Sequence, residues 1–290
     1  MRLPRFWTKV ACASPDPRGK PVRFEAWGWS RVSEAEAEKI GLSRARQALE
    51  RFLKNHDRRH AAEYDYLDMP IREEVLEEIG PADQPTAAIT RNRYGSLILN
   101  TAGVLFADVD FPPAKARGFL DAFLMLFSPE RKQQREEETR QATLSGIKTW
   151  ILNHPQRGVR LYRTAAGLRL LFTDRTYQPT GEESLGLLRE LGSDALYIRL
   201  TRKQESFRAR LSPKPWRCGV PAYPALFPVR HQESADRKNA WLEDYRKKSA
   251  GFRVCDLLTV SGRDSADPVI RAIVDLHDRH ACQPRAGKLA

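Results

Sequence analysis

Two carboxylates one residue apart end the apolar run Gly103-Val-Leu-Phe-Ala-Asp108-Val-Asp110, and Pro112 and Pro113 stop it. Strand side chains alternate faces, so Asp108 and Asp110 share one face with Val104 and Phe106, while Leu105, Ala107 and Val109 take the other. Such a strand is expected to be buried on both sides until it reaches the acids at its exit. Like charges at the end of an apolar element are costly unless something positive compensates them. A divalent cation does so, and carboxylates together with substrate phosphates are common ligands of Mg²⁺ and Mn²⁺. The bland alternative is an Asp-x-Asp that ends a strand and caps the next helix.

A second stretch could bind what such cations bind. Between Arg199 and Arg217 stand seven basic residues against one acid, Glu205, interleaved with Phe207 and Trp216. This is the composition of a phosphate-lined groove with stacking platforms, and Arg202, Lys203, Arg208, Arg210 and Arg217 read as contacts to a nucleic-acid backbone. A loop made basic for solubility has the same composition. Upstream, Val159–Thr164 and Leu168–Thr173 read as a hairpin whose turn is bracketed by Arg163 and Arg169, planar forks that suit phosphate oxygens.

The whole chain favours an anionic partner. Its 290 residues carry a formal charge of +12, with 41% apolar and 30% charged residues, which describes a globular protein with room for a substantial core. Cys12, Cys218, Cys255 and Cys282 are scattered without a Cys-x-x-Cys pair, which argues against a zinc ribbon and for reduced thiols. No secretory signal and no apolar run of membrane-spanning length are found, so a cytoplasmic location without membrane contact is expected.

The elements that must position these residues follow from periodicity. Phe6–Ala11 and Val22–Trp29 read as paired strands, and the capping box Ser33/Glu36 opens a helix to about Lys54. Ile71–Ile79 suits a short helix. Leu97–Leu99 and the acid-bearing strand are expected to be hairpin partners through Asn100-Thr-Ala-Gly103. A helix over 114–127 should pack Phe119, Leu120, Phe123, Leu124 and Phe127 on the sheet, and 131–153 should be a helix whose run Arg135–Arg140 is a solvated face. Helices are expected over 182–191, 235–248 and 268–281, with His277 and His280 at the solvent-facing end of the last. His56 and His60 read as part of a solvated basic face. The class is α+β.

Three stretches, in this order, resemble the archaeo-eukaryotic primase superfamily, particularly its bacterial primase-polymerase branch. Asp108-Val-Asp110 looks like the family's acid-hydrophobic-acid motif. Thr164-Ala-Ala-Gly167-Leu-Arg169 is similar to its small-Gly-x-Gly-x-His turn, with arginine where histidine is expected, and Asp194, Arg199 and Lys214 look like its third acid, arginine and proline-flanked lysine. The resemblance spans about residues 90–217. It implies an RRM-like antiparallel sheet core with packed helices over 85–230, extended by an N-terminal α/β segment, 1–84, and a C-terminal helical segment, 231–290. It further implies two divalent ions, Mg²⁺ or Mn²⁺, held by Asp108, Asp110 and Asp194. Nucleotidyl transfer from a nucleoside triphosphate on a nucleic-acid template would follow, with Arg163, Arg169, Arg199 and Lys214 on the triphosphate. The arginine at 169 also suits a catalytically silent nucleic-acid binder. Gly95-Ser96 followed by Asp108-Val-Asp110 matches the polymerase-beta-type signature as well, which requires a helix opening at the Gly-Ser pair. A glycosyltransferase using Asp-x-Asp to hold manganese would leave the basic groove without a partner.

Overall fold

The computed structural model describes the chain apart from residues 17, 56–68, 82–83, 117, 120, 122 and 124–126. The acid-bearing strand β6, Phe106–Asp110, lies at the edge of a four-stranded antiparallel sheet of order β11-β7-β8-β6, with β7 Val159–Thr164, β8 Gly167–Phe172 and β11 Cys255–Ser261. As its pattern requires, Phe106 and Ala107 are fully buried, Val109 nearly so, and Asp110 is exposed. Helices α2 (Pro129–Asn153), α3 (Glu182–Glu190) and α6 (Pro268–Ala281) send Ile147, Leu188 and Ile273 into the same core as Leu161, Leu170 and Phe172.

A second antiparallel sheet has the order β3-β4-β5-β9, from Glu74–Ile79, Ala87–Arg91, Leu97–Thr101 and Phe207–Arg210. Here the expected hairpin between Leu97–Leu99 and the acid strand is corrected, since β5 pairs with β4 and β9 while β6 pairs with β8. The Asn100–Gly103 turn redirects the chain instead: Thr101 Oγ1 accepts from the amides of Gly103 and Val104, both at 3.2 Å, and the chain passes from one sheet to the other. Ile71–Ile79 is likewise not a helix. Its glutamates favour helix locally, but pairing with β4 and ion pairs from Glu73 to Arg208 and Glu74 to Lys238 override that propensity. Strand β3 also carries the sheet across the boundary expected at residue 84.

The N-terminal hairpin is as expected, β1 (Phe6–Pro15) with β2 (Pro21–Ser30), covered by α1 (Glu34–Asn55). Gly41 belongs in the middle of that helix because helix and hairpin touch backbone to backbone there. A Cβ on Gly28 would lie 1.8 Å from the Ala37 carbonyl oxygen and 2.3 Å from the Gly41 nitrogen. Between the basic segment and the end of the chain come α4 (Ala195–Gln204), α5 (Gln232–Ser249) and a short parallel pair, β10 (Phe252–Arg253) with β12 (Lys288–Leu289). The C-terminal segment is therefore not purely helical, because β11 completes the core sheet.

Other expectations are revised by burial. Arg135 is buried between Asp121, at 2.8 Å, and Glu138, at 2.7 Å, so the charge run on α2 is not wholly solvated. Phe119, Phe123 and Phe127 are exposed and do not pack on the sheet, whereas Leu120 and Leu124 lie outside the described residues, as do His56 and His60. His277 is fully buried. No helix among the described residues is long and apolar enough to cross a membrane.

Replacing Gly28 with alanine forces α1 away from the hairpin. Overpacking of this kind costs about 1–3 kcal/mol, and the loss should appear as a lowered chemical-denaturation midpoint.

Candidate active site

The register of β6 against β8 decides the electrostatics of the site. Asp108 sits opposite Arg169, and Asp110 opposite Gly167. Arg169 Nε donates to Asp108 Oδ1 at 2.7 Å and Nη2 to Oδ2 at 3.0 Å, a bidentate pair in which the arginine side chain is 3% exposed and the aspartate 44%. Burial works against the Arg169 charge, but the Asp108 carboxylate outweighs it and raises the guanidinium above its ordinary pKa. The third nitrogen is also used, with Nη1 donating to the Arg210 carbonyl at 2.9 Å and standing 3.3 Å from His277 Nε2. Arg169 is thus not a free fork for phosphate, as expected from sequence, but the buried counter-ion of the first acid.

Gly167 is required by the approach of the two strands. A Cβ there would lie 2.1 Å from the Val109 carbonyl oxygen and 2.9 Å from Cα of Asp110, so the small-residue turn keeps β8 against the acid-bearing end of β6.

Strand β9 approaches β6 from the other sheet, and one hydroxyl bridges the two. Tyr197 on α4 donates from its hydroxyl to the Phe106 carbonyl at 2.9 Å, and the same oxygen accepts from the Arg208 amide at 3.3 Å. Burial, then the Asp108 charge, pushes Tyr197 up to about 12, so it stays a neutral donor. Asp194 caps α4, with Oδ1 accepting from the amides of Leu196 and Tyr197 at 2.9 and 3.0 Å.

Around this seam opens a cavity of about 280 Å³ whose wall contains Asp108, Asp110 and Asp194 together with Arg210, Lys214 and Arg217. Asp110 is exposed and enters no salt bridge among the described residues. Arg210 is the more telling group. It is mostly buried, enters no salt bridge among the described residues, and its Nη1 is buried without a hydrogen-bond partner. Burial and then the Arg169 charge lower its pKa, and burial followed by Arg210 and Arg217 lowers that of Lys214. Asp108 offsets part of this for Arg210, as Asp110 and Asp108 do for Lys214, but a desolvated cation that closes no ion pair is expensive, and an anion in the cavity would offset the rest.

The predicted residues therefore divide. Asp108, Asp110, Asp194 and Lys214 share the cavity, joined by Arg210 and Arg217 from the set assigned to the nucleic-acid backbone. Arg163 and Arg199 do not line it; Arg199 is exposed on α4 and Arg163 lies on β7 opposite Leu168 and Asp256. Arg208 is not a free backbone contact, because it is paired with Glu73 at 2.5 Å, while Arg202 and Lys203 are exposed in the last turn of α4. Phe207 is fully buried and cannot stack on a base; Trp216, 54% exposed, can, with Tyr94 edge-on at 5.6 Å and Lys214 Nζ 5.5 Å from its ring centre. Helical structure at 96–101, which the polymerase-beta-type reading requires, is replaced by β5, so that arrangement is overturned.

Oxygen donors are the right type for Mg²⁺ or Mn²⁺, and Asp110 is free to serve. Asp108 keeps lone pairs beyond the two that Arg169 uses, and Asp194 keeps Oδ2. The acids do not converge on one point, however. Among the described residues the group of three ligand-type side chains that closes to within 4.8 Å is Cys255, His277 and Cys282.

Compared with protein-family models, with curated proteins and with solved structures, the chain gives no match. The site must be read from its own geometry.

Two variants probe that geometry by denaturant unfolding. Arg210→Met removes the unpaired buried charge and should raise stability by about 1–3 kcal/mol. Asp108→Asn strands Arg169 and should lower it by about 2–3 kcal/mol, less than for a fully buried pair because water reaches the aspartate.

Proposed function

We propose that this chain performs metal-dependent nucleotidyl transfer on a nucleic-acid template, with nucleoside triphosphates as donors, in the cavity at the β6–β9 seam. The observation that carries this reading is the pairing of opposites in one wall: a mostly buried arginine that enters no ion pair among the described residues, Arg210, faces the same space as an exposed carboxylate that enters none among them either, Asp110. A metal-bound triphosphate supplies both missing partners. Neither a neutral ligand nor a bare anion does.

Asp110 would anchor the one or two Mg²⁺ or Mn²⁺ ions, and Asp108 and Asp194, which share the cavity wall without converging on it, would have to close on them. When bound, such ions lower the pKa of an attacking hydroxyl and stabilise the leaving pyrophosphate. The chain itself contributes position and charge. Arg210, Lys214 and Arg217 would neutralise phosphate oxygens whose charge shifts during transfer. Arg169 keeps the Asp108 carboxylate in one plane, Trp216 offers a ring face to a base, and exposed Arg202 and Lys203 would follow the template backbone. The succession β6-α2-β7-β8-α3/α4-β9, with β8 between β6 and β7 and β9 beside β6, supports an RRM-like core of β-α-β-β-α-β type, although β9 spends its ladder hydrogen bonds on β5.

One observation favours a second reading, a nucleic-acid-binding protein with a silent site. Both Asp108 oxygens are already engaged by Arg169. The two readings separate in a primer-extension assay with each cation and each set of triphosphates. Asp110→Asn is the clean variant, since Asp110 holds no structural partner. Incorporation should fall by at least about 100-fold, with nucleic-acid affinity unchanged and still salt-dependent. Undiminished incorporation by Asp110→Asn would remove the site. Nucleotide affinity indifferent to metal in the native chain would leave the binding reading.

A further inference from the structure

Cys255, His277 and Cys282 have no part in the proposed reaction, yet the fold assembles them. Cys255 opens β11, His277 lies in the last turns of α6, and Cys282 is the residue that ends that helix. Their ligand atoms all lie within 4.8 Å of one another. The two sulfurs are 3.7 Å apart, and Cys255 Sγ is 3.9 Å from His277 Nε2. Zinc–sulfur bonds of about 2.3 Å and zinc–nitrogen bonds of about 2.0 Å at tetrahedral angles give ligand edges of about 3.8 and 3.5 Å. The two edges from Cys255 differ from these by a few tenths of an ångström, and the third, between Cys282 and His277, lies within 4.8 Å, so an ion would have to draw only that edge inward.

The shell behind the triad is also that of a metal site. Asp278 Oδ1 stands 2.9 Å from His277 Nδ1, the arrangement in which Nδ1–H donates to the carboxylate and the Nε2 lone pair is left on the side of Cys255 Sγ and Arg169 Nη1. Asp278 is held in turn by the Tyr162 hydroxyl at 2.7 Å and by Arg160 at 2.8 Å. The triad lies at the C-terminal end of α6, where the helix dipole favours a cation. Cys255 and His277 are fully buried, but Cys282 and Asp278 line a cavity of about 460 Å³, which provides an entry path and room for a fourth ligand. Arg160 and Arg253 in its wall are already neutralised by Asp278 and Asp256.

We propose that Cys255, His277 and Cys282 bind a thiophilic divalent cation, Zn²⁺ foremost, as a structural site joining β11 to α6 behind the Asp108–Arg169 pair. Two thiolates and a neutral imidazole cancel the charge of the ion, which matters in a buried position beside a guanidinium. Binding releases the two thiol protons to solvent. The 3.3 Å contact between Arg169 Nη1 and His277 Nε2 gives way to the metal bond, while Nη1 keeps the Arg210 carbonyl. The site stands apart from nucleotidyl transfer, and its test reads metal rather than incorporation.

The full chain, reduced and stripped with a chelator, is titrated with Co²⁺ alone and then Zn²⁺ alone. One equivalent of Co²⁺ should give thiolate-to-cobalt charge transfer and the intense visible bands of a tetrahedral centre, both abolished by Zn²⁺. Cys282→Ala, at a half-buried position, should keep the native far-ultraviolet dichroism and lose the charge-transfer band. Asp278→Asn should weaken binding by about 10–100-fold, and Cys12→Ala should change nothing. Failure of the native chain to take up stoichiometric metal would overturn the proposal, as would uptake that survives Cys282→Ala. So would a Cys255–Cys282 disulfide in protein isolated without air.

Discussion

The bidentate contact between Asp108 and Arg169 is the interaction on which the rest of the structure turns. It crosses from β6 to β8 at the directly paired position, with the guanidinium buried and the carboxylate half in water. An arginine this deep in a sheet is tolerable only if its donors are used, and all three nitrogens donate: two to the carboxylate and one to the Arg210 carbonyl beside His277. The pair therefore ties together the acid strand, its ladder partner β8, the strand β9 of the basic segment and the last helix. Removing either charge leaves the other without compensation in a place water reaches from one side.

That tie explains why a cavity opens where it does. The two sheets do not fuse, because β9 gives its ladder to β5 and packs beside β6 without pairing with it, linked to it by the Tyr197 hydroxyl and the Arg169 guanidinium. Acids leave the end of β6 on one side of the seam, and Arg210, Lys214 and Arg217 approach from the other. Opposite charges that face each other across a cleft without closing on each other form a field suited to a ligand carrying both signs. The lowered pKa values of Arg210 and Lys214 have the same origin, since burial and neighbouring guanidiniums, Arg169 for the first and Arg210 with Arg217 for the second, outweigh the pull of the acids across the cleft.

Where local signals misled, a long-range partner had outweighed them. Ile71–Ile79 has helix-forming glutamates, but those glutamates find Arg208, Arg91 and Lys238 from segments far along the chain, and the backbone follows as an edge strand. His277 ends an amphipathic helix and resembles a solvent-facing residue, yet it is the imidazole against which Phe106, Tyr162 and Arg169 pack, and burial pushes it below the ordinary histidine value. No short-range pattern marks Arg210 as different from Arg208, because a small difference in strand position sends one side chain to Glu73 and the other to the cavity.

The amino-acid sequence alone determined the α+β class, the two arginine-bearing strands as a hairpin, most helix limits, and the buried strand that exposes two carboxylates at its end. These depend on side-chain period and on caps and turns a few residues long, which any stretch carries within itself. Only the tertiary structure decided which strands share a sheet, that Arg169 serves Asp108, that Arg210 closes no ion pair among the described residues, and that Cys255, His277 and Cys282 meet. Those outcomes depend on pairings between residues tens to over a hundred positions apart, chosen by the collective burial of the core rather than by anything written locally.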